Sequence, residues 1–139
     1  MIKVNIRISS NFQERPDAIS SGTFEMKDGQ HILQWFQLPE KDEPFGAQYI
    51  LTYKIDSGIL DISRTGNVVS KMRFCSGART RGELATPEGC FELEIYTHLL
   101  VVPDGPNDEA HLVYDLTFSG QEPMRNELRI FLTKNDDEN

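Results

Sequence analysis

The chain has 139 residues, 14 Lys and Arg against 22 Asp and Glu, and a formal net charge of -8. That length suits a single domain with its own hydrophobic core. With 38% hydrophobic residues, 26% charged residues and two cysteines, the composition excludes a disordered chain, a collagen and a disulfide-stapled toxin, and the acidic balance speaks against nucleic-acid binding, which needs a basic footprint.

The N-terminal run alternates: Ile2, Val4, Ile6 and Ile8 against Lys3, Asn5, Arg7 and Ser9. Period two marks a strand with one buried face, and it differs from the continuous apolar run of a signal peptide. No stretch reaches the length of apolar residues that a membrane-spanning helix needs. One helical turn is expected within Gln13–Ile19. Phe24 and Met26 continue the alternation, and Asp28-Gly29 is a two-residue hairpin signal. The return run, Gln30 to Leu38, has Leu33, Trp35 and Gln37 on one phase and Ile32, Phe36 and Leu38 on the other. Either phase could face inward on pattern alone.

After the polar loop Pro39 to Gly46, Tyr49, Leu51, Tyr53 and Ile55 alternate, then Leu60 and Ile62, then Met72 and Phe74. Phe91, Leu93, Ile95, Thr97 and Leu99 form the clearest stripe, followed by Leu112, Tyr114, Leu116 and Phe118, and by Leu128, Ile130 and Leu132. Gly-containing turns separate these runs at regular spacing. The pattern predicts an all-β domain over residues 1–134. Its architecture is a single closed or nearly closed antiparallel up-and-down β-barrel of about 8–10 strands, with a sandwich as the alternative. Residues 135–139 read as a frayed acidic tail.

Few residues suggest chemistry. Cys75-Ser76-Gly77-Ala78-Arg79-Thr80-Arg81 matches the C-x5-R spacing of a cysteine phosphatase loop. That loop needs a helix start to supply its amides, and a strand pattern follows here. Phe74 and Gly82 also stand where the loop has His and a hydroxyl residue. The expectation is a hairpin turn and no enzyme. His31, His98 and His111 fall on separate strands without ligand spacing, so neither a metal site nor a cofactor is expected. Cys75 and Cys90 flank one strand, about 9–10 Å apart, beyond disulfide reach.

Arg64, Lys71, Arg73, Arg79 and Arg81 form a basic segment without an intervening acid. Four of them fall on outward phases, where Arg81 would face Glu94 and Glu83 would face Glu92 across a turn at Thr86–Gly89. A charge-paired, solvated face is the simplest reading. Arg64 differs, because it shares the phase of Leu60 and Ile62 and points inward. A buried guanidinium needs an acceptor: a backbone carbonyl, a Tyr hydroxyl or Gln37. Trp35, Tyr49, Tyr53 and Tyr114 are core aromatics or cavity lining.

The ordered set Gly22-Thr23-Phe24, Leu33-Gln34-Trp35-Phe36-Gln37, Tyr53-Lys54-Ile55, Ile62-Ser63-Arg64-Thr65-Gly66, Thr86-Pro87-Glu88-Gly89 and Tyr114-Asp115-Leu116 resembles DUF1934, the YwiB-like family of bacterial proteins. The resemblance implies a calycin-like barrel, similar to lipocalins and fatty-acid-binding proteins, and no established activity. The family favours an acidic residue at Gln37, so an interior ion pair with Arg64 is replaced here by a neutral acceptor.

The functional expectation is a cytoplasmic barrel that holds a small molecule through Arg64, Gln37, Tyr53, Tyr114 and Trp35. The alternative is a non-enzymatic protein-interaction or structural domain. No nucleic-acid or membrane partner is expected, and the chain would be a monomer or homodimer. An interior filled by Trp35, Phe24, Phe74 and Phe91 would count against a ligand. The charge is uneven: residues 1–70 carry 7 basic and 9 acidic groups, net -2, and residues 71–139 carry 7 and 13, net -6.

Overall fold

The computed structural model describes residues 1–11, 19–39, 44–118 and 120–135. The helical turn expected within Gln13–Ile19 lies outside these residues, apart from Ile19. So does the tail beyond Asn135, whose own backbone N–H donates to Lys3 O at 2.9 Å. Ten strands follow in order: β1 (Ile2–Ser10), β2 (Ile19–Lys27), β3 (Gln30–Gln37), β4 (Ala47–Lys54), β5 (Ile59–Thr65), β6 (Val69–Cys75), β7 (Arg79–Thr86), β8 (Gly89–Val101), β9 (Glu109–Phe118) and β10 (Met124–Lys134). Each pairs antiparallel with its sequence neighbours, and β1 pairs with β10, so the sheet closes on itself. This is the closed antiparallel up-and-down barrel that the alternation predicts. A sandwich is ruled out by the unbroken ring.

The turns β3–β4, β5–β6, β7–β8 and β9–β10 share one end of the barrel, termed upper here. The turns β2–β3, β4–β5, β6–β7 and β8–β9 share the lower end. Asp28 and Gly29 both adopt positive φ, 54° and 74°, as the type I′ hairpin requires.

Inward residues of the lower half form a dry core: Val4, Ile6, Phe24, Leu33, Leu51, Leu60, Phe74, Ile95, Leu112, Ile130 and Leu132 are all buried. On β3 the buried phase is His31, Leu33 and Trp35, while Phe36 is exposed. Gly22 makes room for this choice, because it pairs with Trp35. A Cβ at Gly22 would lie 2.2 Å from Gln34 O and 2.9 Å from Trp35 Cβ.

The lower end is sealed by His31, whose Nδ1–H donates to Pro103 O at 2.8 Å. Only that tautomer can serve, since a carbonyl accepts and cannot donate. The rings of Phe24 and Tyr53 flank His31 edge-on, each 6.0 Å away. The loop that carries Pro103 is held by the Asp108 carboxylate, which accepts from Asp104 N at 2.9 Å and Glu109 N at 2.8 Å. These two N–H donors hold the Asp108 carboxyl below the usual carboxylate range.

The expected stripe on β8 needs two corrections. A bulge between Thr97 and Leu99 shifts the register and moves the inward phase to Leu100, so Leu99 is 38% exposed. Phe91 keeps the phase of Leu93 but lies at the upper rim, 46% exposed. It does not fill the interior.

Gly22→Ala is expected to lower unfolding stability by about 2–3 kcal/mol, because the new methyl meets a backbone carbonyl and the Trp35 stem. Urea unfolding followed by circular dichroism checks this. Gly29→Ala has open space around its Cβ, so its cost should be confined to the strained positive φ.

Candidate functional site

The barrel is asymmetric along its axis. In the lower half most inward residues are buried, with Tyr53, Leu100 and Val102 partly so, whereas in the upper half Trp35, Ala47 and Leu93 are buried and Ile8, Tyr49, Ile62, Met72, Tyr114, Leu116 and Leu128 are only partly buried and rest on the core. In a close-packed interior such a difference marks space open to solvent. The inward polar groups gather in this half, on two walls.

One wall is built by β3, β4 and β5. Tyr49 pairs with Trp35 on one side and Arg64 on the other. The Trp35 and Tyr49 rings stack at 4.9 Å with 5° between planes. The Arg64 guanidinium lies 5.6 Å from the Tyr49 ring centroid. Arg64 Nε donates to Tyr49 Oη at 3.0 Å, and Arg64 Nη1 donates to Val68 O. The Tyr49 hydroxyl in turn donates to Gln37 Oε1, at a long 3.4 Å. A backbone carbonyl and a Tyr hydroxyl thus serve Arg64, two of the three acceptor types anticipated, and Gln37 reaches it through Tyr49.

The facing wall comes from β8, β9 and β10, where Thr97, Tyr114 and Asn126 stand in one cross-strand row. Thr97 Oγ1 is buried and has no hydrogen-bond partner among the described residues. Asn126 is buried and its Nδ2 donates to Met124 O at 3.2 Å. The Tyr114 ring meets Phe74 edge-on at 4.9 Å. Burial raises the Tyr114 hydroxyl above the ordinary tyrosine value, so it stays a neutral donor.

Of the five residues expected to bind, Arg64, Gln37 and Trp35 cluster, and Tyr114 stands on the second wall. Tyr53 does not join them: it sits beside His31 at the sealed lower end. Tyr49 was the missed member of the set. Its signal was available, because a register with Trp35 opposite places it between Gln37 and Arg64.

The C-x5-R segment runs from the end of β6 through a turn into β7, and a strand follows where a phosphate loop has a helix. Two of its amides are already committed, Gly77 N to Thr97 O at 2.9 Å and Ala78 N to Cys75 O at 3.0 Å. Cys75 and Cys90 are both free. They occupy opposite ends of β6 and β8, about 20 Å apart along the strands, rather than at lateral spacing. The basic segment is interleaved with acids. Arg73 makes a bidentate pair with Asp61 at 2.9 and 3.1 Å. Arg81 faces Glu94 in register, although Arg79 is the partner within 3.6 Å. Among the described residues, no three His, Cys, Asp or Glu side chains lie together as a metal site would require.

Tyr49→Phe keeps the stack but removes the acceptor of Arg64 Nε. It should cost about 1–3 kcal/mol of stability, against less than about 1 kcal/mol for Arg73→Ala at the exposed pair; parallel denaturant titrations compare the two. Tyr114 gives a pH signature. Its folded value lies above its unfolded value, so its contribution is intact below the unfolded value and is lost as pH rises toward the folded one. Alkaline destabilisation should therefore be smaller in Tyr114→Phe than in the parent chain, read from melting curves at neutral and alkaline pH.

Comparison with known proteins supports the same architecture. The crystal structure of the ywiB protein from Bacillus subtilis superposes with a TM-score of 0.75 at 15% sequence identity, covering 96% of this chain and 92% of that one. At this identity the likeness concerns the fold. A search of curated proteins finds no significant match. The family described as "Domain of unknown function (DUF1934)" matches residues 2–130, and the chain belongs to that family.

Proposed function

We propose that the upper half of the barrel is a binding chamber for one small molecule, and that the protein acts by binding, without catalysis. The observation that carries this reading is an axial bias: most of the partly buried inward side chains, among them Tyr49, Ile62, Met72, Tyr114, Leu116 and Leu128, lie in the upper half. A barrel of this size can hold one small ligand, and binding sites combine apolar lining with a few convergent polar groups. Ile8, Ile62, Met72, Leu116 and Leu128 supply the lining. Arg64, Tyr49 and Gln37 supply polar groups on one wall, and Tyr114 on the other. Absence of catalysis is consistent with the committed amides of the Cys75 turn. The two unbridged cysteines fit a reducing compartment such as the cytoplasm.

The single tryptophan, Trp35, is stacked on a chamber residue and serves as a built-in reporter. Titration with anilinonaphthalene sulfonate, an aromatic anion with an apolar body, is expected to give saturable energy transfer from Trp35 at one equivalent. Arg64→Met should weaken it by roughly tenfold, about 1.4 kcal/mol, and Tyr53→Phe should leave it unchanged. Absence of saturable binding, or equal weakening in both variants, would reject the chamber.

A further inference from the structure

The wall that faces Arg64 carries a single band of polar side chains. Thr97, Tyr114 and Asn126 pair in register across β8, β9 and β10. The inward rows on either side are apolar: Ile95, Leu116 and Met124 in one, Leu100, Leu112 and Leu128 in the other. Thr97 is fully buried, yet its Oγ1 has no hydrogen-bond partner among the described residues. Burial alone acts on the Tyr114 hydroxyl, with no hydrogen bond from the described residues. Asn126, also buried, commits one amide N–H to Met124 O at 3.2 Å, which leaves its carbonyl oxygen. A buried hydroxyl without a partner weakens a fold, and an apolar side chain of the same shape does not. The charges of these strands lie on the outer face, where Asp115 pairs with His98 at 2.8 Å and with Arg125 at 2.6 Å.

We infer that this band is the subsite for an uncharged amide group of the ligand, its carbonyl on the Thr97 and Tyr114 hydroxyls and its N–H on Asn126 Oδ1. The inference rests on the chamber reading above and names the chemistry of one end of the occupant. Complementarity argues for an amide, because two hydroxyls donate and the Asn126 carbonyl oxygen accepts. A carboxylate or an ammonium group would lie between apolar rows with no counter-charge on this wall. A hydrocarbon would leave all three polar groups unpaired. A single water is too small to serve the band, since it reaches partners only to about 3 Å. An amide with a hydrogen bond at each end spans roughly 8 Å between its partners. That is close to the two strand spacings, about 10 Å, that separate Thr97 from Asn126, with Tyr114 between them.

Calorimetric titration of the full chain with 1-naphthaleneacetamide and with its ester counterpart, methyl 1-naphthaleneacetate, tests this. The ester keeps the carbonyl and lacks the N–H, so the amide is expected to bind about tenfold more tightly. Thr97→Val should weaken amide binding by about tenfold while leaving the melting temperature unchanged or raising it, because it removes an unpaired buried hydroxyl. Tyr114→Phe should weaken the amide as well, and Thr133→Val on the outer face of β10 should alter neither binding nor melting. Anilinonaphthalene sulfonate, titrated in parallel, separates the two levels of the account. Saturable binding of that dye without any preference for the amide overturns the subsite and leaves the chamber standing; no binding of any of the three probes rejects both. A lower melting temperature in Thr97→Val with amide affinity intact would assign the hydroxyl to the fold and overturn the proposal.

Discussion

Between Val4 and Ser10 the first strand pairs with residues 128–134 of the last, and this seam turns a ten-strand meander into a closed sheet. Closure leaves no strand with an unpaired edge along the seam, removing the groups that invite edge-to-edge aggregation. It also assigns each side chain to one of two environments, because alternation along a strand becomes alternation between the inside and the outside of the barrel. A slip of one residue at any pairing would exchange the two sets over a whole strand. The register is therefore the constraint from which both the core and the outer surface follow.

Inside, the consequence is a gradient. The lower half accommodates Phe24, Phe74 and a set of Leu, Ile and Val residues, and the His31–Pro103 hydrogen bond closes its base. The upper half begins where Trp35 lies against Gly22 and Tyr49. Above that level the inward positions change from aliphatic to mixed, with Arg64, Gln37 and Tyr114 among them. A guanidinium facing inward is costly unless its N–H groups are engaged. The Tyr49 hydroxyl and the carbonyl of Val68 accept from it and meet this demand, so Arg64 is held in a fixed orientation. Outside, the same alternation concentrates acids and bases on β6–β10 and leaves uncharged side chains on the upper part of β2–β5.

Much of this was legible in the sequence. Period-two alternation and glycine-containing turns gave the strands, their order and the barrel, because each strand buries a single face against one core. The inward direction of Arg64 followed from its phase with Leu60 and Ile62. The phase of β3 was not legible, since both of its faces are apolar; packing of Trp35 over Gly22 decides it. Leu99 was misjudged because a bulge at Thr97 adds a residue that no local pattern announces. Phe91 was misjudged because phase gives direction but not height, and a rim residue has no core above it. Tyr53 was grouped with Arg64 for the same reason: the two share the inward phase but occupy opposite ends. His31 gave no signal as a seal, because its acceptor, Pro103, lies 72 residues away in sequence.

A chamber in the upper half of the barrel differs from a second packed core in what it contains. The most direct test is a crystal structure of the protein purified from its native expression host without added ligand. A chamber is expected to show electron density beyond the protein and single waters between the Arg64–Tyr49 wall and Tyr114, with the lower half unchanged. An upper half closed by its own side chains, with Ile62, Met72 and Leu116 packed as tightly as Leu60 and Phe74, would contradict it.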